Sequence, residues 1–252
     1  MELAEYERLD PRCEVSWEGK SVVYATPNRM TRWRAESLFE KEPATLRWMS
    51  ELGPDAVLAD VGANVGMYSV WAARIGGARV WAFEPESQNF ALLNRNIVLN
   101  GLGERVRAYC VALSDSAGFS ALHLSEFAAG GSNHAFGEPL NFKLEAMQPA
   151  YSQGCAAATL DELVAAGVLP QPSHIKIDVD GFEHKVAAGA ARVFRDRRLR
   201  SMIIEINRNL EAHRGLVREL GALGFRWSEA QVAAAERRSG PFKGLAEYVF
   251  ER

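Results

Sequence analysis

The alternation of apolar and polar residues divides the chain into a short leading part and a long series of strands and helices. Residues 13–26 alternate around a Glu-Gly pair, which predicts a β-hairpin. Two stretches at helical spacing follow, over 31–42 and from Pro43 onward. We expect residues 1–52 to form an N-terminal cap beside the main sheet.

From residue 53, short apolar runs alternate with amphipathic segments. Closely spaced units of this kind are typical of a parallel sheet covered by helices on both faces. The pattern breaks off after residue 113 and resumes at residue 174. The predicted elements are strands at 56–62, 78–85, 105–113, 174–181 and 201–207, helices at 65–75, 87–99, 183–195 and 210–223, and a closing antiparallel pair at 225–232 and 246–252.

The interrupting residues 114–173 contain no clean parallel strand. Residues 119–124 suggest an antiparallel piece, and 128–139 have the composition of a loop. Thr159 and Glu162 fit a capping box that opens a helix. Because long loops within compact domains are usually functional, we expect a lid or substrate-binding insert before the fourth core strand.

These elements predict one α/β domain over residues 1–252. Its fold would be a doubly wound, mostly parallel, Rossmann-like sheet, with the core formed by 53–113 and 174–252. The remaining segments would be the N-terminal cap and the insert.

Composition narrows the functional classes. The chain has 252 residues, of which 48% are hydrophobic, and a formal net charge of −3, which disfavours a nucleic-acid partner. No window approaches the roughly 18 apolar residues of a membrane span, and the N-terminus does not resemble a secretory signal. Its three cysteines form no CxxC pair. We expect a cytoplasmic protein, and the sequence does not indicate its oligomeric state.

A glycine-bearing turn follows the first core strand. Ligands of doubly wound sheets lie beyond the carboxyl ends of the strands, where glycine lets the backbone come close. We therefore expect cofactor contacts from five residues of this turn, which are Asp60, Gly62, Ala63, Asn64 and Gly66.

The next strand ends in Glu84, where an acid can accept hydrogen bonds from ribose hydroxyls. A dinucleotide fingerprint would place glycines where Asn64 and Met67 stand. Asp60 would repel a pyrophosphate but suits a cationic ligand. S-adenosylmethionine is therefore favoured over a dinucleotide, and a turn without a ligand is the structural alternative.

Five segments together carry a family resemblance. They are "DVGANVGMYSVWAAR", "AFEPESQNFALLNRNIVLN", "VALSD", "TLDEL" and "HIKIDVDGFEHKVAAGA". Over residues 55–207 the chain resembles the FkbM family of S-adenosylmethionine-dependent methyltransferases. The resemblance implies a seven-stranded class I methyltransferase fold, with the last strand antiparallel, and O-methylation of sugars or polyketide-type natural products. The same fold class would place Ala112 and Leu113 against adenine and Asn89 near the ribose.

The block "KIDVDGFEHK" concentrates acids at the end of a central strand. One interpretation is that Asp178, Asp180, Glu183 and His184 contact the cofactor or the acceptor. A second is that the three acids hold a divalent cation, which we do not predict. In the third, Asp180 and Glu183 only cap the following helix. These roles are not mutually exclusive.

Lys176 lies within the same apolar strand, and Glu205 has a similar position in the strand expected beside it. A buried ion pair across the sheet would explain both residues. We prefer this structural role for Lys176 over a catalytic one.

A hydroxyl acceptor is a weak nucleophile, so a general base would help methyl transfer. Asp178 is one candidate, and His134 is the other because glycines on both sides would let its loop close over the site. Trp33 on the cap could form part of the acceptor pocket, although simple packing would also explain it.

The sequence thus predicts an S-adenosylmethionine-dependent O-methyltransferase. Its acceptor would be a small molecule or glycan, such as a sugar, a polysaccharide or a glycosylated natural product. Two alternatives are a catalytically inactive cofactor-binding partner protein and an NAD-dependent oxidoreductase.

Overall fold

The computed structural model describes residues 1–6 and 8–252. The strands are β1 Arg12–Trp17, β2 Lys20–Ala25, β3 Val57–Val61, β4 Arg79–Phe83, β5 Val106–Tyr109, β6 Ala112–Leu113, β7 Gly118–Leu124, β8 Ala135–Phe136, β9 Tyr151–Ala158, β10 His174–Ile177, β11 Ser201–Asn207 and β12 Leu245–Glu251. The helices are α1 Leu3–Tyr6, α2 Arg29–Glu36, α3 Leu38–Lys41, α4 Pro43–Ser50, α5 Met67–Arg74, α6 Ser87–Leu99, α7 Leu160–Ala165, α8 Glu183–Ala188, α9 Ala191–Arg195, α10 Glu211–Ala222 and α11 Glu229–Ala235.

The main sheet has the strand order β12-β11-β10-β3-β4-β5. All neighbouring strands are parallel except β11 and β12, which are antiparallel. The prediction of a mostly parallel α/β sheet is therefore confirmed. The parallel strands all end at one edge, and the functional site lies there.

The predicted count of seven strands is wrong, because this sheet has six. The strand expected at 225–232 is reduced to a single bridge between Arg226 and Glu251, and α11 begins three residues later. Ser228 caps α11 by accepting the Gln231 N–H at 3.3 Å. The alanine-rich sequence that follows has a high helix propensity, which explains why a helix forms here.

The insert and the two residues of β6 before it form a second sheet, of order β6-β9-β7-β8. The predicted antiparallel piece at 119–124 is confirmed as part of β7. The strand expected over 105–113 ends at Tyr109, and Ala112–Leu113 pair instead with β9. The sequence did not indicate β9 because its inward side chains, Cys155 and Ala157, are small and give a weak apolar signal.

The N-terminal hairpin packs against the main fold. Tyr24 is fully buried, and its hydroxyl donates to the Met67 carbonyl at the start of α5 with an O–O distance of 2.9 Å. Trp71 and Leu93, from α5 and α6, belong to the same core cluster. This packing holds α2 and α3 near the edge where the strands end. None of the helices in the described part of the chain combines the length and apolar character needed to cross a membrane.

Candidate functional site

A cavity of about 500 Å³ opens at the carboxyl edge of the main sheet. Its walls come from the strand ends, the N-terminal helices, the insert and the segment before β12. This size suits a small-molecule ligand. The predicted site residues that line it are Trp33, Gly62, Asn64, Glu84, Asn89, Ala112, Leu113, His134, Asp178 and Asp180. The predicted residues outside the lining are Asp60, Ala63, Gly66, Glu183 and His184.

The glycines of the turn are required by the packing of the protein itself. Gly62 has a φ of +77°, and a Cβ there would lie 1.9 Å from the Asp178 carbonyl oxygen. A Cβ on Gly66 would lie 2.4 Å from Leu93 Cδ1. We expected the glycines to make room for a ligand, but Gly62 brings the ends of β3 and β10 together and Gly66 lets the start of α5 approach α6.

Asp60 lies beneath the cavity, where its side chain has no exposure. Its carboxylate accepts the Ser69 hydroxyl at 2.5 Å and lies 3.4 Å from Lys176 Nζ. Ala63 is also buried, at 5% exposure. The structure therefore does not bring Asp60 or Ala63 to the surface that a ligand would touch.

The predicted ion pair between Lys176 and Glu205 is wrong. Lys176 is in register with Asp60 on β3, and its Nζ also lies 3.5 Å from Asp178. On β11 its register partner is Ile203, so Glu205 is two residues further along that strand. Glu205 instead pairs with Arg237 at 3.1 Å.

Glu84 directly follows β4, with its carboxylate buried and its side chain in the cavity wall. It accepts the backbone N–H groups of Asn64 and Glu86, both at 2.8 Å. Burial raises the pKa of Glu84 to about 7, and the charges of Glu86 and Asp180 add to this increase. The two backbone hydrogen bonds fix the carboxylate at the strand end, where it can accept further donors from a ligand.

Residues 128–134 form a loop over the cavity, hereafter the 128–134 loop, and two asparagines bind it to the core. Asn89 Oδ1 accepts the Gly130 N–H at 2.7 Å. Asn64 Nδ2 donates to the Gly131 carbonyl at 2.7 Å. Both asparagines line the cavity, so they shape the site by holding this loop.

The same loop is also bound by the N-terminal helices and by the acid block. Asn28 Nδ2 donates to the Ala129 carbonyl, and Arg34 Nε donates to the Gly130 carbonyl, each at 2.8 Å. On the other side Asp180 accepts the Asn133 N–H at 2.6 Å. The loop therefore connects the cap to the end of β10.

The acids after β10 have three different environments. Asp178 reaches the cavity with 28% of its side chain exposed. Asp180 has a φ of +54°, and burial together with the Asp178 charge raises its pKa to about 7. Glu183 is fully buried and accepts the N–H groups of Val179 and Gly181, at 2.8 and 3.3 Å. Glu183 thus stabilises the turn before α8. The capping interpretation is wrong in its detail, because the N-cap of α8 is Phe182, without a side-chain capping hydrogen bond, and Asp180 binds the 128–134 loop instead.

The carboxylates that come together differ from the set considered for a divalent cation. Oxygens of Asp178, Glu183 and Glu205 lie within 4.8 Å of one another, and Asp180 is not among them. Lys176 and Arg237 already pair with two of these acids. The protein's own cations thus offset part of the charge of this cluster, although Lys176 and Arg237 also pair with acids outside it.

The two histidines near the block differ in position. Burial lowers the pKa of His134 to about 4. Its Nδ1 accepts the Ser125 N–H at 3.4 Å, and its Nε2 is buried without a hydrogen-bond partner among the described residues. His184 lies outside the cavity lining, with its ring 6.0 Å from that of His213.

Several lining residues were not expected from the sequence. Phe142 and Phe242 place their ring centroids 4.7 Å apart, and Phe182 adds a third ring. Four cationic side chains also line the cavity: Arg34, Lys41, Lys185 and Arg237. They come from the cap, α8 and the segment before β12, so no single motif in the sequence could have grouped them.

A family model and several known proteins are similar in sequence to this chain. A family model described as "Methyltransferase FkbM domain" matches residues 60–227. The chain is 27% identical over 183 residues to the hexuronic acid methyltransferase AglP of Haloferax volcanii, covering 71% of this chain and 67% of AglP. It is 43% identical over 74 residues to the 31-O-demethyl-FK506 methyltransferase FkbM of Streptomyces tacrolimicus, covering 29% of this chain and 28% of that protein.

The crystal structure of methyltransferase FkbM from Methylobacillus flagellatus has a similar fold. The TM-score is 0.51 at 14% sequence identity, over 88% of this chain and 52% of the other. At this identity the likeness concerns the fold alone. It places the six-stranded sheet in a known structural class.

Proposed function

The chain belongs to the FkbM methyltransferase family and is an S-adenosylmethionine-dependent methyltransferase, and we propose that it methylates a hydroxyl group of a sugar, a polysaccharide or a glycosylated natural product. The names of AglP and of the Streptomyces FkbM support this proposal, because they describe action on a hexuronic acid and on an O-demethyl natural product.

The observation that carries the proposal is the spacing of the acids along the sheet edge. Glu84 follows β4 and Asp178 follows β10, with β3 between them. Two strand spacings correspond to roughly 10 Å. Glu84, Ala112 and Leu113 would hold the nucleoside, which leaves the cavity near Asp178 for the acceptor. Phe142 and Phe242 supply apolar faces against which a sugar ring can pack.

Asp178 is the residue we assign to the acceptor hydroxyl. When bound, the cofactor supplies a methyl group that a positively charged sulfur already activates. Burial alone would raise the pKa of Asp178, but the charges of Lys176, Lys41 and Arg237 outweigh burial and lower it. The ionised carboxylate would orient the hydroxyl and accept its proton. A weak base is sufficient because that proton becomes strongly acidic as the oxygen is alkylated.

His134 is poorly placed for the same role. One ring nitrogen accepts a backbone N–H, and the other is buried. We therefore propose that His134 supports the 128–134 loop and that Asp178 accepts the proton.

The acceptor class is tested by methyl transfer from labelled S-adenosylmethionine to a panel of uronic acid glycosides, neutral glycosides and glycosylated natural products. We expect a methoxy product, identified by NMR, from at least one sugar hydroxyl. Transfer only to nitrogen, to carbon or to acceptors without a sugar would contradict the proposal. Binding of S-adenosylhomocysteine without transfer to any acceptor would favour the inactive partner protein.

The role of Asp178 is tested with Asp178→Asn, compared with His134→Gln. We expect the asparagine variant to lose roughly 100-fold or more in turnover, as removal of a general base does, while its affinity for S-adenosylhomocysteine changes by less than about threefold. His134→Gln should keep turnover within about fivefold. The reverse order of the two variants would assign the base to His134.

A further inference from the structure

Three of the four cations around the cavity are already paired with acids. Arg237 lies 3.1 Å from Glu205 and 3.0 Å from Glu247. Lys41 pairs with Glu42 at 2.7 Å, and Lys185 lies 3.7 Å from Glu138. Each of these charges is at least partly balanced by the protein itself.

Arg34 is different. Its Nε donates to the Gly130 carbonyl at 2.8 Å, which fixes the guanidinium plane beneath the 128–134 loop. Across residues 1–6 and 8–252, no acid forms an ion pair with Arg34, and its terminal nitrogens make no hydrogen bond. The side chain is half-buried in the cavity wall. Up to four N–H donors therefore remain for a ligand.

The shared loop places Arg34 next to the glycine turn. Arg34 binds the carbonyl of Gly130, and Asn64 binds the carbonyl of the following residue, Gly131. The positive charge of Arg34 also acts on Asp180 and His134: it opposes the rise in the pKa of Asp180 that burial causes, and it adds to the fall in the pKa of His134 that burial causes. Arg34 therefore lies between the turn after β3 and the acids after β10.

We infer that Arg34 binds the carboxylate of the amino-acid part of S-adenosylmethionine. The nucleoside carries no anionic group, and the carboxylate is the one anion of this cofactor. A guanidinium can bind a carboxylate through two parallel hydrogen bonds, and a half-buried cation without a counter-ion gains most from such a partner. The inference concerns the cofactor and does not depend on the proposed acceptor.

The inference is tested by calorimetric binding of two ligands to the intact protein. S-adenosylhomocysteine contains the amino-acid part, and 5′-methylthioadenosine keeps the nucleoside and sulfur but lacks the carboxylate. We expect Arg34→Gln to weaken S-adenosylhomocysteine binding by roughly 10- to 100-fold, the range for losing hydrogen bonds to a charged group. Affinity for 5′-methylthioadenosine should change by less than about twofold.

Lys185→Gln is the matched control, because it removes another cavity cation whose partner is an acid of the protein. We expect it to leave the affinities for both ligands unchanged. Arg34→Lys should recover part of the lost affinity, since an ammonium keeps the charge but not the paired hydrogen bonds. Thermal melting of each variant checks that it is folded.

Two results would overturn the inference. Equal losses for both ligands in Arg34→Gln would mean that Arg34 only holds the 128–134 loop. Unchanged binding of S-adenosylhomocysteine would mean that its carboxylate binds elsewhere and that Arg34 is available to the acceptor. Neither result requires a known acceptor, so the inference can fail while the proposed acceptor class stands.

Discussion

The turn after β3 and the 128–134 loop border the same cavity but are held in different ways. The turn is a contiguous segment whose backbone packs against the end of β10 through Gly62. The loop is held by side chains from five distant positions, Asn28, Arg34, Asn64, Asn89 and Asp180. The first arrangement depends on the absence of a side chain at one residue. The second depends on long-range hydrogen bonds that no local pattern encodes.

The most disruptive single change should be Gly62→Ala. The new Cβ would lie 1.9 Å from the Asp178 carbonyl oxygen, and the residue would also have to keep a φ of +77°. Backbone strain of about 1–2 kcal/mol adds to a clash that the strand ends cannot relieve without moving. We expect the free energy of unfolding to fall by about 3 kcal/mol or more in urea denaturation.

Gly137→Ala separates the cost of the backbone conformation from the cost of the steric clash. Gly137 has a φ of +87°, but a Cβ there would meet no atom within 4 Å. This variant should lose only about 1 kcal/mol, the cost of the backbone conformation alone. If the two variants lose equal stability, the close packing at Gly62 is not what fixes the turn.

The second change removes hydrogen bonds that hold the 128–134 loop and should leave the turn after β3 intact. Asn89→Ala removes the acceptor of the buried Gly130 N–H and a donor to the Gly131 carbonyl, which lies 3.1 Å away. The Gly131 carbonyl keeps its hydrogen bond from Asn64, but the buried Gly130 N–H loses its partner, which should cost about 2 kcal/mol. Amide hydrogen exchange at Gly130 should accelerate, while exchange at Gly62 should not.

Asn94→Ala on the same helix is the control. Its exposed side chain donates only to the Phe90 carbonyl one turn earlier, at 2.8 Å. We expect a change within about 0.5 kcal/mol and no effect on Gly130 exchange. Faster exchange throughout the protein in Asn89→Ala would show that the loop and the core open as one unit.

The same contrast explains what the sequence could predict. The sheet, its edge and the motif residues were predictable, because β3, β4 and β11 are mostly apolar runs and Glu84 and Asp178 directly follow strands. The order of these segments also carried the family resemblance. The apolar pattern failed over 225–232, where local helix propensity and a cap overrode it.

The roles of individual side chains were less predictable, because they depend on register and distant contacts. The pair of Lys176 with Asp60 follows from the alignment of β10 with β3, which sequence alone does not give. Arg34 and Arg237 lie about 200 residues apart, yet both line one cavity. Asp60 matched the motif but lies under the site and not in it.

The smallest expected effect concerns Glu84, which accepts a backbone N–H from the turn after β3 and also lines the cavity. Its pKa of about 7 exceeds the ordinary 4.5, so folding favours the protonated form. Its contribution to the stability of the ligand-free protein is present below pH 4.5 and is lost as the pH rises through 7.

Ligand binding should have the opposite pH dependence, because ribose hydroxyls donate best to the ionised carboxylate of Glu84. We expect S-adenosylhomocysteine to bind up to about tenfold more weakly at pH 6 than at pH 8, with proton release that calorimetry in buffers of different ionisation enthalpy detects. Glu84→Gln should remove this dependence. Asp180→Asn should retain it, although the pKa of Asp180 is also about 7. If Asp180→Asn abolishes the dependence and Glu84→Gln does not, the proton belongs to the acid block after β10 and the ribose assignment of Glu84 loses its support.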